Sequence, residues 1–512
     1  MFGKVNCIYL QGMEGTRILV EADVSDGLPS CAFVGYLASE VKESQDRVRT
    51  AIKNLNLSLP PKKITINLSP ADFRKEGTGF DLAIAMAILE AYGYLPSEPF
   101  ENSVFIGELG LDGKIKGIPG VLAITAWAKN QGFSRIFLPE ENVCEAESIG
   151  GIGLVGVSDL QTLTFMMRGR LPMKEKQRKS AGKSQPGFNQ YDVDFSEVQG
   201  QPLLRRAAEV AVAGMHNLLM IGPAGSGKTM VARRMPTILP GMDLEECIEI
   251  SKIYSVCHLL NEKQPLVLKR PFRAPHHTIT AQALAGGGSR PRPGEISLAT
   301  GGILFLDELP EMGRAAMEIL RQPLEERCIT ISRVYGSFCY PANFQLVAAM
   351  NPCKCGYYPD PVKCTCTQGE IKKYLGRISR PLLERIDICV EAAPVTYKEM
   401  SDSGKNEDSA AIRARVEAAR EIQKERFLGT SIRCNGEMNR KQIRKFCQLG
   451  KEESHFMEEI FSDLELSARM HDKILRVART AADLEGKEQI SHVHLCEAVS
   501  FARFREKYWK NW

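Results

Sequence analysis

Residues 222–229 read GPAGSGKT, set between the apolar run Leu218 to Ile221 and the helix-forming stretch MVARRM. Strand, glycine loop and helix in that order are what a phosphate cradle requires, because glycines let backbone N–H groups close around an anion at a helix start. Gly222, Pro223, Ala224, Gly225, Ser226, Gly227, Lys228 and Thr229 are therefore the expected nucleotide-binding residues. Lys228 is placed to reach the β and γ oxygens, and Thr229 to offer its hydroxyl to Mg²⁺. The competing reading, an ordinary glycine turn before a helix, explains none of the elements that follow.

The first of these is GGILFLDELPE, Gly301 to Glu311. Ile303 to Leu306 reads as a short buried parallel strand, which puts Asp307 and Glu308 at its carboxyl end, where ligands of open α/β sheets bind. Asp307 is expected to hold Mg²⁺ through water and Glu308 to orient the attacking water. A further buried strand, Leu346 to Ala349, ends near Asn351, whose amide could reach the γ-phosphate or that water. Arg385, in GRISRPLLERIDICVEAAP, stands at a helix end before another strand, where an arginine could project into a neighbour's site.

Length and composition suit a large multidomain protein. The chain has 512 residues, 44% of them hydrophobic, and 66 basic against 62 acidic residues, so an argument for nucleic acid must be local. No apolar run approaches a membrane span and no export signal opens the chain, which leads us to expect a cytoplasmic protein with its 15 cysteines reduced. The basic, small-residue segment 168–190 reads as a linker and the polar stretch 401–410 as a second break. The expected domains are 1–167, 191–395 and a helical 396–512. Within the middle one, residues 270–300 interrupt the α/β rhythm with basic residues, glycines and prolines, as a projecting insertion would. Its Arg270, Arg273, Arg290 and Arg292, with the segment Ile331 to Asn343, are the candidate DNA contacts. His276 and His277 are adjacent on what reads as extended chain, so their side chains should point oppositely and pack or hydrogen-bond rather than share a metal.

In the first 165 residues strand-like and helical patterns alternate: KITINLSP (63–70) as a strand, FDLAIAMAILEAYG (80–93) as a buried helix, SVFIGELGLDGKIKG (103–117) as a hairpin, SRIFLPEEN (134–142) as a strand. The order LSPADFRKEGTGFDLAIA, GELGLDGKIKGIPGVLAI, IFLPEEN resembles the proteolytic domain of Lon-type proteases, which implies an α+β fold. That family attacks peptides with a Ser and Lys pair. Here the serine's place falls on Gly79, beside Thr78, and the loop at Pro119 and Gly120 lacks the lysine. The resemblance thus implies a proteolytically inert domain, with Thr78 and Lys75 as the one conceivable substitute pair.

Asn351, Arg385 and Arg469, the last in the amphipathic LSARMHDKILRVARTAADLEG (466–486), resemble the sensor-1, arginine-finger and sensor-2 positions of AAA+ ATPases. FRAPHHT, GGG before RPRPGEISLA, GGILFLDELPE, LRQPLE and the helical tail are similar to the magnesium-chelatase-like AAA+ ATPases of the YifB/ComM type. The resemblance implies a P-loop parallel-sheet core with a helical lid, ATP and Mg²⁺ as ligands, and a homo-oligomer, a hexameric ring. It also implies a role in DNA branch migration during homologous recombination or natural transformation. A protein-remodelling ATPase acting on a partner protein is the alternative. Arg380, where relatives have a small residue, leaves the choice of finger between Arg380 and Arg385.

Cys353, Cys355, Cys364 and Cys366 are spaced CxCx8CxC, and four thiolates so close can hold tetrahedral Zn²⁺. An iron–sulfur cluster and loose reduced thiols are the other readings. Cys257 and Cys389 sit in apolar settings and read as buried hydrophobes.

Overall fold

The computed structural model describes residues 1–512 except 56, 58, 177–190, 262, 289, 290, 334, 335, 395–405 and 510–512. Two sheets organise it. The first has seven strands: β1 (Phe2–Gln11), β2 (Glu14–Ser25), β3 (Ser30–Val34), β4 (Lys63–Ser69), β5 (Ser103–Phe105), β8 (Arg135–Pro139) and β9 (Gly153–Val157), in the order β3-β4-β2-β1-β5-β8-β9. In β2 the alternate residues Ile18, Val20, Ala22 and Val24 are buried, the period of two expected of a strand with one face in a core. Against this sheet packs helix Asp81–Ala91, apolar on every face and buried accordingly. Of the stretch read as a hairpin, only β6 (Glu108–Leu109) and β7 (Ile115–Lys116) pair with each other; Ser103 to Phe105 belongs to the large sheet, parallel to β1 and β8.

Asp81 is a charge sealed into this core. It accepts the Ser44 hydroxyl at 2.5 Å, the Arg47 guanidinium at 2.8 and 3.1 Å, and the Leu109 N–H at 3.2 Å. Asp81→Ala strands the guanidinium and the amide together, so a loss of about 3 kcal/mol in urea unfolding of this region is expected. A loss below about 1 kcal/mol, the value of an exposed ion pair, would show that the contact is not buried in solution.

The second sheet is all parallel: β10 (Leu218–Ile221), β11 (Phe272–Arg273), β14 (Ile303–Leu306), β17 (Gln345–Met350) and β18 (Ile388–Glu391), ordered β11-β14-β17-β10-β18. Two small ribbons accompany it, β12 (Gly286–Gly287) with β13 (Arg292–Pro293) and β15 (Cys328–Arg333) with β16 (Gly336–Pro341). Both faces of the sheet are covered. Met220, Phe305, Val347 and Val390 point into one apolar cluster, while Leu219, Leu306, Ala348 and Cys389 point into another, which is why these strands are unbroken apolar runs. Helices Ser409–Arg426, Arg440–Phe446, Lys451–Asp463, Ala468–Leu484 and His492–Trp509 follow. A buried carboxylate holds the third-longest to the first: Asp483 accepts Arg426 at 2.6 Å and Asn435 at 2.7 Å.

Two expectations about segments need correction. The linker is expected to start at Arg168, but Arg168 closes the helix Leu160–Met167, and the chain is still tied to the first sheet at its far end: Lys176 bridges Leu154, and Glu175 pairs with Arg135. Glu175 on Arg135 and Lys176 on Glu140, with the bridge to edge strand β9, hold residues that composition alone reads as loose; the rest, 177–190, lies outside the described residues. The basic insertion does not project from its start either. Its first residues form β11, an edge strand of the main sheet. No helix among the described residues is long and apolar enough to cross a membrane.

Candidate nucleotide site

Strand β10 lies between β17 and β18, so the chain leaves its carboxyl end at the point where the strand order reverses. There Gly225 and Gly227 take φ of 77° and 83°, the left-handed region that favours glycine, and nothing lies within 4 Å of where a Cβ would stand. Helix Lys228–Ile238 begins on Gly227 without a side-chain cap, which leaves its first N–H groups facing the loop. Lys228, buried, donates to the Gly222 and Pro223 carbonyls, both at 2.8 Å, and lies 3.5 Å from Asn351 Oδ1. Burial lowers its pKa from the ordinary lysine value. The ammonium is thus tethered to the loop's own carbonyls, contacts that phosphate oxygens can replace.

Asp307 and Glu308 emerge from β14 next to this loop. Thr229 donates its hydroxyl to Asp307 Oδ2 at 2.7 Å, and the Glu308 N–H donates to Asp307 Oδ1 at 2.9 Å. A hydroxyl and a carboxylate already in contact form an oxygen pair suited to Mg²⁺. Glu308 has φ of 50°, a strained backbone for a non-glycine residue, and turns its side chain to His277, Nδ1 to Oε2 2.8 Å. Asn351 leaves β17 beside both. The structure therefore brings Lys228, Thr229, Asp307, Glu308 and Asn351 to one edge of three neighbouring strands.

Sequence reasoning missed His277 as a neighbour of Glu308. The His276 and His277 rings lie 4.1 Å apart rather than on opposite sides, because the chain turns there and Thr278 and His276 bond each other at 2.9 Å. Gln201, also missed, supports the loop from below through the Ser226 carbonyl at 3.3 Å.

Arg385 and Arg469 are elsewhere. Both line a cleft of about 540 Å³ with Asn217, Asn343 and Asp387, the residues just before β10, β17 and β18. This is the amino edge of the sheet, and a four-residue strand is about 13 Å long, so neither side chain reaches the phosphate loop of its own chain. Arg469 pairs with Glu384 at 2.7 Å, and Arg385 pairs with Glu325 while its Nε finds no partner. Arg380 is exposed on the short helix before it. Of the other arginines in helix Ala468–Leu484, Arg479 is buried on Asp483 at 3.1 Å.

The candidate DNA arginines divide. Arg270 donates to Glu246 at 2.8 and 3.0 Å and to the Gly301 and Pro240 carbonyls at 2.6 Å each, and Arg273 grips Glu295 at 2.6 and 2.7 Å. Their charges are neutralised inside the chain, which removes them as phosphate contacts. Arg292 is exposed, as is Arg333 on the β15–β16 ribbon, while Ile331 is buried; Arg290 lies outside the described residues.

A cavity of about 250 Å³, lined by Leu10, Thr78, Gly79, Gly120, Arg292 and Phe338, lies between the first sheet and the ribbons, away from the phosphate loop. Thr78 donates to Glu108, and Lys75 to the Phe73 carbonyl at 3.0 Å, so the two do not pair as nucleophile and base.

The four cysteines converge: their Sγ atoms all lie within 4.8 Å of one another, with Cys353 3.3 Å from Cys355 and Cys364 3.6 Å from Cys355. Tetrahedral thiolates at Zn–S distances would be about 3.8 Å apart, so the donor set fits a zinc ion. Cys389, by contrast, is buried, and that burial pushes its thiol up to about 12.

This fold and this site define a P-loop ATPase of AAA+ organisation. The family model for magnesium chelatase, subunit ChlI, matches residues 194–400; the one for subunit ChlI of Mg-chelatase matches 20–142, and that for the ChlI C-terminal region 406–502. Competence protein ComM of Haemophilus influenzae is 40% identical over 498 residues, 96% of this chain and 95% of its own. YifB of Salmonella typhimurium is 40% identical over 491 residues, 96% and 95% respectively. Part of the chain, 171 residues or 33%, is 26% identical to the DNA repair protein RadA of Halalkalibacterium halodurans, covering 37% of it. The chain belongs to the magnesium-chelatase-like ATPases of the ComM and YifB type, a membership that implies ATP and Mg²⁺ as its ligands.

Proposed function

We propose that the protein is a ring-forming ATPase, a hexamer by family resemblance, that couples hydrolysis to movement on branched or single-stranded DNA. In this reading Lys228 holds the β and γ phosphates, Thr229 and Asp307 hold Mg²⁺, Glu308 orients the water and Asn351 positions it against the γ-phosphate. Arg385 and Arg469 act on the nucleotide of the adjacent subunit. The observation that carries this is their place at the amino edge of the sheet, opposite the phosphate loop, where only a second copy can complete a site.

The DNA half of the proposal rests on the match to a competence protein, the partial match to a repair protein, and the exposed Arg292 and Arg333 on two neighbouring ribbons. Backbone contacts by arginine tolerate any sequence, as a motor must. The first 167 residues serve as an inert assembly or partner-binding domain, and the four cysteines hold structural zinc. The expected result is that a four-way DNA junction stimulates hydrolysis by the purified protein, with Glu308→Gln as the blank. Stimulation should fall steeply between about 50 and 200 mM salt, since each phosphate contact releases a counterion. Hydrolysis indifferent to DNA, with ATP bound normally, would turn the reading to a protein substrate.

A further inference from the structure

The cysteine knuckle is built onto the phosphate loop. Cys353 comes two residues after Asn351, and the strand that delivers both, β17, accepts the Gly222 N–H on its Met350 carbonyl at 3.2 Å. Between Cys355 and Cys364 the chain turns back over the loop. Gly356 sits there with φ of 85°, and a Cβ on it would lie 3.9 Å from both Pro223 Cα and Ala224 N, which places this turn beside the start of GPAGSGKT with room for no more than a methyl group between them. The far side is anchored too. Tyr358 donates its N–H to Cys353 Sγ at 3.4 Å, and its ring meets Tyr508 edge-on with centroids 6.1 Å apart. The Tyr508 hydroxyl in turn donates to Glu391 at the end of β18, 2.9 Å away. The knuckle is thus joined to β17 by the chain and to β18 through Tyr508 of the last helix.

Besides the cysteines, this segment is held by turn hydrogen bonds and by the packing of Tyr358. Residues 353–366 form neither helix nor strand, and Val362 is 90% exposed. Ordering such a chain costs on the order of 1 kcal/mol per residue in backbone entropy, more than a few turn hydrogen bonds offset. Four convergent thiolates around one ion supply the missing stabilisation, because metal binding free energy is folding free energy for a small site of this kind.

We infer that zinc closes this knuckle and that its occupancy sets the affinity of the phosphate loop for nucleotide, the knuckle serving as a metal-clamped wall of the nucleotide site. The inference rests on the reading of residues 222–229 as that site. Coupling between two sites is reciprocal, so nucleotide must tighten zinc by the same factor that zinc tightens nucleotide.

The test uses the full-length protein. Elemental analysis is expected to find one zinc per chain, lost in Cys364→Ser/Cys366→Ser; absence of metal from the purified protein would overturn the assignment. A fluorescent ATP analogue should bind the metal-free protein about tenfold more weakly, within the usual range of intersite coupling. In the wild type, chelator competition should show zinc held about tenfold tighter with saturating Mg²⁺–ADP than without, which requires no variant to fold. Equal zinc affinity in the two conditions would overturn the coupling while leaving the zinc site standing. Lys228→Ala separates the underlying reading: it should lose nucleotide and keep its zinc, whereas nucleotide binding unaffected by Lys228→Ala would mean that the loop is not the nucleotide site.

Discussion

Lys228→Ala is expected to lose nucleotide binding, and Glu308→Gln to keep it while turnover stops. The Lys228 ammonium already makes two hydrogen bonds, at 2.8 Å each, to the loop's own carbonyls, and phosphate oxygens would replace neutral acceptors with charged ones. Two charge-assisted bonds of about 2 kcal/mol each correspond to a roughly thousandfold rise in Kd. Glu308 is different. It is half exposed, touches His277 rather than the loop, and holds none of the atoms that cradle phosphate. Its amide replacement keeps size and hydrogen bonding to the ring but cannot accept the water's proton, so kcat should fall about a thousandfold with binding unchanged. Titrating a fluorescent ATP analogue and measuring phosphate release on the same preparations separates the two roles. If both variants lose binding equally, Glu308 belongs to the cradle and the water-orienting role is wrong.

How much of this was legible depends on how local each feature is. The phosphate loop, Asp307, Glu308 and Asn351 could be read because each directly follows a short apolar strand, and parallel strands put their carboxyl ends together whatever joins them. The strands themselves were plain for the same reason: buried on both faces, they are unbroken apolar runs. What could not be read is long-range pairing. Arg270 looks like any basic insertion residue until Glu246, 24 positions earlier, is seen to accept its guanidinium. Glu175 and Lys176 look like linker residues until Arg135 and Leu154 take them up. His277 meets Glu308 only because β11 runs parallel to β14 in register, Phe272 beside Ile303, a pairing that neither segment announces. The cysteine knuckle was visible as spacing, yet its place beside Pro223 and Ala224 depends on which strand neighbours β10, and the chain does not state strand order.

The same edge-of-sheet geometry fixes the expectation for Arg385. Placed at the start of β18, it can act on phosphate only across a subunit boundary, so Arg385→Ala should bind ATP normally and lose about 10³-fold in hydrolysis, the low end for an arginine that stabilises transition-state charge. Loss of activity alone would not establish this, since Arg385 also pairs with Glu325 and its removal could loosen the cleft. Mixing decides. Arg385→Ala subunits carry an intact phosphate loop and Lys228→Ala subunits an intact arginine; neither preparation hydrolyses ATP alone. If the arginine works in trans, co-assembled rings regain competent sites at about a quarter of their interfaces for random mixing, because one subunit supplies the loop and its neighbour the guanidinium. Hydrolysis should therefore reappear on co-assembly, and Arg385→Ala/Lys228→Ala doubly substituted chains should rescue neither parent. Should the mixture stay inactive while co-assembly is verified by pull-down of a tagged subunit, Arg385 acts only within its own chain, and the amino-edge cleft is a structural joint rather than half of a catalytic interface.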